Sequence, residues 1–166
     1  KLLPREQVSS AEYYSIAIAL QASNNMGGAI DFLRLAIKNA DNMNDEVASL
    51  RGHADTLFLT GQQEEGRVEY QKALGIFSKY KGYNDYTQKS TNVWTELAWA
   101  ISEANIGNLN LANQHVTNAE SIISTLFPGP GVELLKKQTA QVKSMLASGT
   151  PSGIPTPLPT PLPTPQ

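Results

Sequence analysis

Small residues recur along this chain at a fixed spacing. In three stretches, two of them stand 12 residues apart and a third follows 7 residues later. Antiparallel helices need a residue without a bulky side chain where they cross, and again where one helix pair meets the next. The spacing therefore predicts three closely packed helical hairpins in series, with these residues at the crossings: Ala17/Ala29/Ala36, Ala54/Gly66/Ala73 and Ala100/Ala112/Ala119.

The neighbours of the small residues repeat as well. A large side chain precedes each first small residue, a turn former stands five residues before each middle one, and an apolar or aromatic residue follows the middle one by four. In chain order these are Ile16, His53 and Trp99, then Asn24, Gly61 and Gly107, then Leu33, Tyr70 and Val116. Together with the spacing, this pattern resembles the tetratricopeptide repeat, a helix-turn-helix unit of about 34 residues.

The resemblance extends over residues 9–126 and becomes weaker along the chain. Glu96 and Glu103 occupy positions of the third unit where the family prefers large apolar residues. Successive units are 37 and 46 residues apart, which exceeds the family period. We expect the excess of the second interval in Lys79–Ser90, as longer helix ends or an inserted loop. The alternative to a repeat protein is an ordinary helical bundle with alanine-rich contacts.

Local signals predict where helices begin and end. Ser9 followed three residues later by Glu12 is typical of a capping box, and Asn44 ahead of two acidic residues indicates a second helix start. The sequence FPGPG at Phe127–Gly131 predicts an abrupt end to the third helix pair. Apolar residues at helical spacing over residues 132–146 then predict an amphipathic helix that caps the stack.

We therefore predict an all-α fold over residues 1–147: a right-handed helical solenoid of three tetratricopeptide-like helix pairs plus a C-terminal capping helix. Residues 148–166 form a proline-rich tail that includes a Thr-Pro-Leu-Pro repeat. Such a sequence forms neither a helix nor a sheet, and adopts polyproline II where it is ordered. The tail is either a linker or a segment that docks on an aromatic surface of this chain or of a neighbouring copy.

The composition excludes several classes of function. The chain has 166 residues, 40% of them hydrophobic, which suffices for a solenoid core without a metal. It has no cysteine, so thiolate catalysis, disulfides and cysteine-based zinc sites are excluded. A formal charge of −2 argues against nucleic-acid binding, and no apolar run approaches the roughly 18 residues of a membrane span. We expect no cofactor and no metal.

The two ends of the sequence predict a location. The chain begins at Lys1 without an initiator methionine, as does a mature chain after a signal is removed, or a fragment of a longer chain, and we favour the former. Tails rich in threonine and proline are frequent on exported and surface proteins. We expect a periplasmic, cell-surface or extracellular protein, with a cytoplasmic location as the open alternative.

No residue pattern indicates catalysis. His53 and His115 are the only histidines, and neither has acidic residues or a second histidine at metal-ligand spacing in the sequence. We interpret both as core or surface residues. Glu64 and Glu65 fit a helix first turn better than a catalytic carboxylate pair. The sequence therefore predicts a protein that is not an enzyme.

The family resemblance implies a binding surface instead. In tetratricopeptide repeats the first helix of each pair lines a concave groove. The corresponding residues here are Tyr14, Ile18, Gln21, Arg51, Asp55, Phe58, Leu59, Trp94, Leu97, Ile101 and Asn105. They imply a mostly apolar groove, and the Lys/Asn/Arg clamp of chaperone-binding members is absent. The alternative is that some of these side chains are buried against the inserted segment or the capping helix.

Two functions follow from this surface. The first is a non-catalytic adaptor or scaffold that binds an extended apolar or proline-rich segment, or a helix, of a protein partner through the groove. The second is a structural subunit of a larger envelope or extracellular assembly, in which the proline-rich tail straps neighbouring subunits together. Self-association through the tail belongs to this second function.

Overall fold

The computed structural model describes residues 8–149, and this part of the chain is all-α, as predicted. Its helices are α1 (Ser10–Ala22), α2 (Met26–Lys38), α3 (Met43–Leu59), α4 (Gln63–Leu74), α5 (Asp85–Asn105), α6 (Leu109–Ser124) and α7 (Pro130–Ala147), with a short 3₁₀ turn at Ile76–Ser78. The predictions for the proline-rich tail and for the first residues of the chain fall outside the described residues.

The start of α1 agrees with the sequence prediction, whereas the start of α3 does not. The backbone N–H of Ser9 donates to Glu12 Oε2 at 2.8 Å, and the backbone N–H of Glu12 donates to Ser9 Oγ at 3.3 Å. The predicted start at Asn44 is wrong, because Asn42 is the residue with extended backbone, at φ −138° and ψ 160°. Its side chain accepts the backbone N–H of Asp45 at 3.0 Å, so α3 begins at Met43.

The three hairpins turn in the same way. Asn24, Gly61 and Gly107, the predicted turn formers, have left-handed backbone with φ of 60°, 80° and 81°. In each turn the following N–H reaches back to the carbonyl five residues earlier, at 2.8 Å in the first two turns and 2.9 Å in the third. This is the Schellman pattern of a helix C-terminus, which favours glycine or asparagine at the left-handed position. The three helix pairs are therefore alike in their connections as well as in their spacing.

The small residues that defined the spacing are all buried. Each of the eight alanines has 0% exposure, and Gly66 is buried too. A Cβ at Gly66 would lie 2.6 Å from Phe58 Cδ2 and 3.1 Å from the carbonyl oxygen of Ala54. Any side chain at Gly66 would therefore require the Phe58 ring, or one of the two helices α3 and α4, to shift.

The chain divides into two compact units, one ending at Glu69 and the other starting at Tyr70. In the first unit, α1 packs on α2, α2 packs on α3, and α3 also contacts α1. In the second unit, α5 packs on α6, α6 packs on α7, and α7 also contacts α5. Each unit therefore contains a helical hairpin with the next helix packed on both of its members.

The structure accounts for the longer interval before the third hairpin. It also contains the predicted last helix. Residues 79–84 connect the 3₁₀ turn to α5, and α5 then runs for 21 residues from Asp85. The extra length is thus partly a loop and partly a longer helix. In α7, Val132, Leu135, Thr139, Val142 and Leu146 are buried, so the predicted amphipathic helix is present. Its apolar stripe joins one hydrophobic core with α5 and α6.

Candidate binding face on the first helices

In the first unit, α1 and α3 bring four of the predicted groove residues together. Tyr14 lies against Gly52, where a Cβ would stand 3.1 Å from Tyr14 Cε2. Burial raises the pKa of Tyr14, the charge of Arg51 lowers it and the charge of Asp55 raises it. Both charged side chains therefore act on the Tyr14 hydroxyl. Tyr14 and Asp55 stay partly exposed and form a polar surface across the two helices, whereas Arg51 is buried, with 9% exposure.

Gln21 joins this surface through a chain of hydrogen bonds. Its Nε2 donates to Thr56 Oγ1 at 2.5 Å, and Thr56 Oγ1 donates to the carbonyl of Gly52 at 2.7 Å. Gln21 stays partly exposed while Thr56 is fully buried. The amide of Gln21 is therefore held in one orientation by a side chain of the neighbouring helix.

The apolar residues of the predicted face differ in how far they are exposed to solvent. Ile18 is half-buried, and Leu59 at the end of α3 is 49% exposed. Phe58 is only 4% exposed, because its ring packs against Gly66 and lies 5.8 Å below the guanidinium of Arg67. Phe58 thus belongs to the contact between α3 and α4, and does not line an open groove.

In the second unit, the predicted face is largely covered. Trp94, Leu97 and Ile101 are 4%, 0% and 6% exposed and belong to the same core cluster as the apolar stripe of α7. Asn105, at the end of α5, is exposed. The expected aromatic trough is therefore not open here, because the helix predicted to cap the stack packs on α5. This outcome matches the alternative that the sequence left open.

A buried acid–imidazole contact lies in the third hairpin. His115 Nδ1 is 2.6 Å from Glu96 Oε2, and Asn118 Nδ2 donates to both carboxylate oxygens of Glu96 at 3.4 Å. The His115 ring stacks on Trp99 with ring centres 4.0 Å apart. The sequence predicts only that His115 is a core or surface residue. The structure places it in the core beside a specific acidic partner, Glu96.

The second glutamate of the third hairpin is satisfied inside the protein too. Glu103 is 0% exposed and accepts hydrogen bonds from Trp99 Nε1 and from Asn108 Nδ2, both at 3.1 Å. Trp99 also stacks on Tyr70, with ring centres 5.3 Å apart and planes at 7°. The two glutamates that depart from the family pattern thus share one aromatic and polar cluster, and they do not face solvent.

The other histidine also lies beside a glutamate. His53 is 5% exposed, its Nδ1 is 3.7 Å from Glu69 Oε2, and neither ring nitrogen has a hydrogen-bond partner. The sequence signal for the contact between Glu96 and His115 is the hairpin spacing, whereas His53 and Glu69 are 16 residues apart, as are Trp99 and His115. Glu96 and His115 are 19 residues apart, as are Tyr13 and Phe32, whose rings contact each other in the first hairpin. Residues 19 apart therefore face each other across a hairpin.

No family model, curated protein or solved structure matches this chain. Within residues 8–149, no group of three His, Asp or Glu side chains converges as metal ligands would. In the same part of the chain, no helix has the length and apolar character needed to cross a bilayer.

The chemistry available on the α1–α3 face is that of recognition. Gln21, Tyr14 and Asp55 supply a partly exposed amide, hydroxyl and carboxylate, and Ile18 adds apolar surface. Polar side chains of these types are able to donate and accept hydrogen bonds with a ligand. Arg51 is buried, with 9% exposure, and is not available on this face. The polar members of the predicted face are the ones that the first unit brings together, while most of its aromatic and aliphatic members lie in the core.

Proposed function

We propose that this chain is a tetratricopeptide-like repeat protein that binds a protein segment without catalysis. Its helix pairs stack as a right-handed solenoid, and its first helices face the partner. Support for the repeat comes from the three alike hairpin turns and from the burial of all nine small residues. The partner is an extended segment whose backbone is bound by polar side chains of α1 and α3.

One observation carries this proposal: the side chains of Tyr14, Gln21 and Asp55 are only partly buried on adjoining helices, and Gln21 is already oriented by Thr56. An ordered amide next to a hydroxyl and a carboxylate matches the alternating donors and acceptors of an extended backbone. Ile18 and Leu59 offer apolar contacts beside them. Since Phe58 and Trp94 are buried, aromatic anchors contribute less than the sequence alone predicted.

The test uses the whole chain and a panel of immobilised extended peptides, apolar and proline-rich, including this chain's own residues 150–166. We expect Gln21→Ala and Asp55→Asn each to raise the dissociation constant of the peptides that bind about tenfold, a loss typical of hydrogen bonds at a binding site. Gln114→Ala, an exposed glutamine on α6, is the matched control. Equal binding by all three variants would place the partner surface elsewhere.

A further inference from the structure

The first hairpin exposes side chains at positions that the other hairpins bury. In the second hairpin these positions hold Leu50, His53 and Leu57, and in the third they hold Glu96, Trp99 and Glu103, all between 0% and 7% exposed. The first hairpin has Tyr13, Ile16 and Leu20 there, and Ile16 is 40% exposed while the other two are half-buried. The first hairpin thus has large apolar residues at these positions, and they are more exposed than the corresponding residues of the other two hairpins.

The second helix of this hairpin extends the same surface. Phe32 is half-buried with its ring 6.1 Å from that of Tyr13, and Leu35, one turn further along α2, is 37% exposed. The two helices therefore present one continuous apolar surface, which we call the open face: Tyr13, Ile16, Leu20, Phe32 and Leu35. It is distinct from the binding face, since Tyr14, Ile18 and Gln21 lie on another side of α1 by helical periodicity.

The third hairpin shows what covers such a position. There Trp99, which corresponds to Ile16, is stacked under Tyr70 from α4. In the third hairpin, this position is thus covered by an aromatic side chain of another helix. The open face carries side chains of this same kind, so one copy of it has the chemistry to cover another.

We infer that the open face is the contact between two copies of this chain, related by a twofold axis. The hydrogen bond from Ser10 Oγ to the carbonyl of Ala36, at 2.8 Å, places the start of α1 beside the end of α2. Glu12 and Lys38, each two residues from this hydrogen bond, therefore lie at the same end of the hairpin. Both are exposed, and helical periodicity places them at the outer edges of α1 and α2.

This placement makes the face complementary to itself in charge. A twofold axis parallel to the helices lays α1 of one copy on α2 of the other, and brings each Glu12 beside Lys38 of the second copy. The contact then has an apolar centre and two identical ion pairs at its rim, as an isologous interface requires. Glu12 is the only charged residue of α1. On α2, the other charged residues besides Lys38 are Asp31 and Arg34, which pair with each other at 3.7 Å.

The size of the face predicts a weak dimer. Two adjacent helices of 13 residues present a surface about 20 Å long and two helices wide, or roughly 400 Å² on each copy. That area is at the low end of specific interfaces, so association at micromolar to sub-millimolar concentration is expected.

The first test is sedimentation velocity of the whole chain from about 10 to about 500 µM, the range suited to an interface of this size. We expect the weight-average mass to rise toward that of a dimer, and Ile16→Arg to raise the dissociation constant at least tenfold. Val68→Arg, at an exposed apolar residue of α4, is the matched control and should leave association unchanged. Circular dichroism of each variant separates loss of association from loss of folding.

The rim is tested by charge. Lys38→Glu should weaken the dimer because it faces Glu12 of the second copy, and adding Glu12→Gln should restore part of the loss while keeping the capping box. Lys137→Glu on α7 is the control. A chain that stays monomeric throughout, or a dimer indifferent to Ile16→Arg, overturns the inference. If the chain is monomeric and deletion of residues 1–7 changes the environment of Ile16, then that segment covers the open face and a second copy does not.

Discussion

Nδ1 of His115 on α6 lies 2.6 Å from Oε2 of Glu96 on α5, and both side chains are about nine-tenths buried. The corresponding contact in the first hairpin is between two aromatic rings, those of Tyr13 and Phe32. The same pair of positions thus joins the two helices of a hairpin by apolar packing in one case and by a polar contact in the other. The polar version has consequences for stability that can be measured.

We expect Glu96→Ala to lower the free energy of unfolding by about 2–4 kcal/mol, because it leaves the buried imidazole of His115 without its partner. The double variant Glu96→Leu/His115→Phe replaces the contact by apolar groups. Its loss of unfolding free energy should be smaller than the sum of the losses of the single variants Glu96→Leu and His115→Phe. Urea denaturation measures both. Glu120→Ala, which removes an exposed ion pair with Lys143, should cost about 1 kcal/mol or less. Strict additivity of the two single changes would show that the contact is not coupled.

Gly66→Ala should destabilise the protein by about 1–3 kcal/mol, because its Cβ would stand 2.6 Å from the Phe58 ring. Ala54→Leu should act in the same direction, since it overfills the same crossing. Gly27→Ala is the control, because Gly27 is also helical and nothing lies within 4 Å of its Cβ. That change should be neutral or stabilising by up to about 1 kcal/mol. Thermal denaturation of the three variants gives the ranking.

Phe58→Ala and Trp94→Ala should each cost about 3–5 kcal/mol of folding stability, because both side chains are 4% exposed. Phe127→Ala is the matched control, since that ring is 92% exposed and should contribute little. Denaturant titration compares the three. Full stability of Phe58→Ala with weakened peptide binding would instead return Phe58 to the binding face.

The hydroxyl of Tyr14 predicts a loss of stability in alkali. Burial raises its pKa above the ordinary value of 10.0, so the folded protein holds this proton at a pH where the unfolded chain releases it. The free energy of unfolding should therefore decline as the pH rises above about 10 and through the raised pKa. Tyr14→Phe should decline less over the same range. Urea denaturation at pH 8 to about 11 makes the comparison, and identical slopes would contradict a raised pKa of Tyr14 in the folded protein.

Gly107→Ala should cost about 1 kcal/mol, because a side chain disfavours the left-handed backbone at φ 81°. Gly107→Asn should cost less, since Asn24 has the same conformation in the first turn. Gly129→Ala, where φ is 172° and nothing lies within 4 Å, is the control and should be nearly neutral. Melting temperatures of the three variants test the order.

The turns were predictable because their chemistry is local: Asn24, Gly61 and Gly107 are residue types that tolerate positive φ, at positions set by the spacing. The contact between Glu96 and His115 was not predicted, because it depends on which residues face each other across a hairpin. Burial of Trp94 depends on α7, more than 30 residues away in sequence. Long-range packing of this kind decides which members of a helix face remain available to a partner, and residue types alone do not reveal it.

Both tryptophans of the chain, Trp94 and Trp99, lie in the second unit, one in the apolar core and the other stacked between Tyr70 and His115. Their fluorescence therefore reports only on the residues after Glu69, while the helices of the first unit are silent in that signal. Far-ultraviolet circular dichroism follows the helices of both units. Coincident melting curves from the two methods mean that the units unfold as one cooperative system, and separated curves assign the earlier or later transition to the silent half.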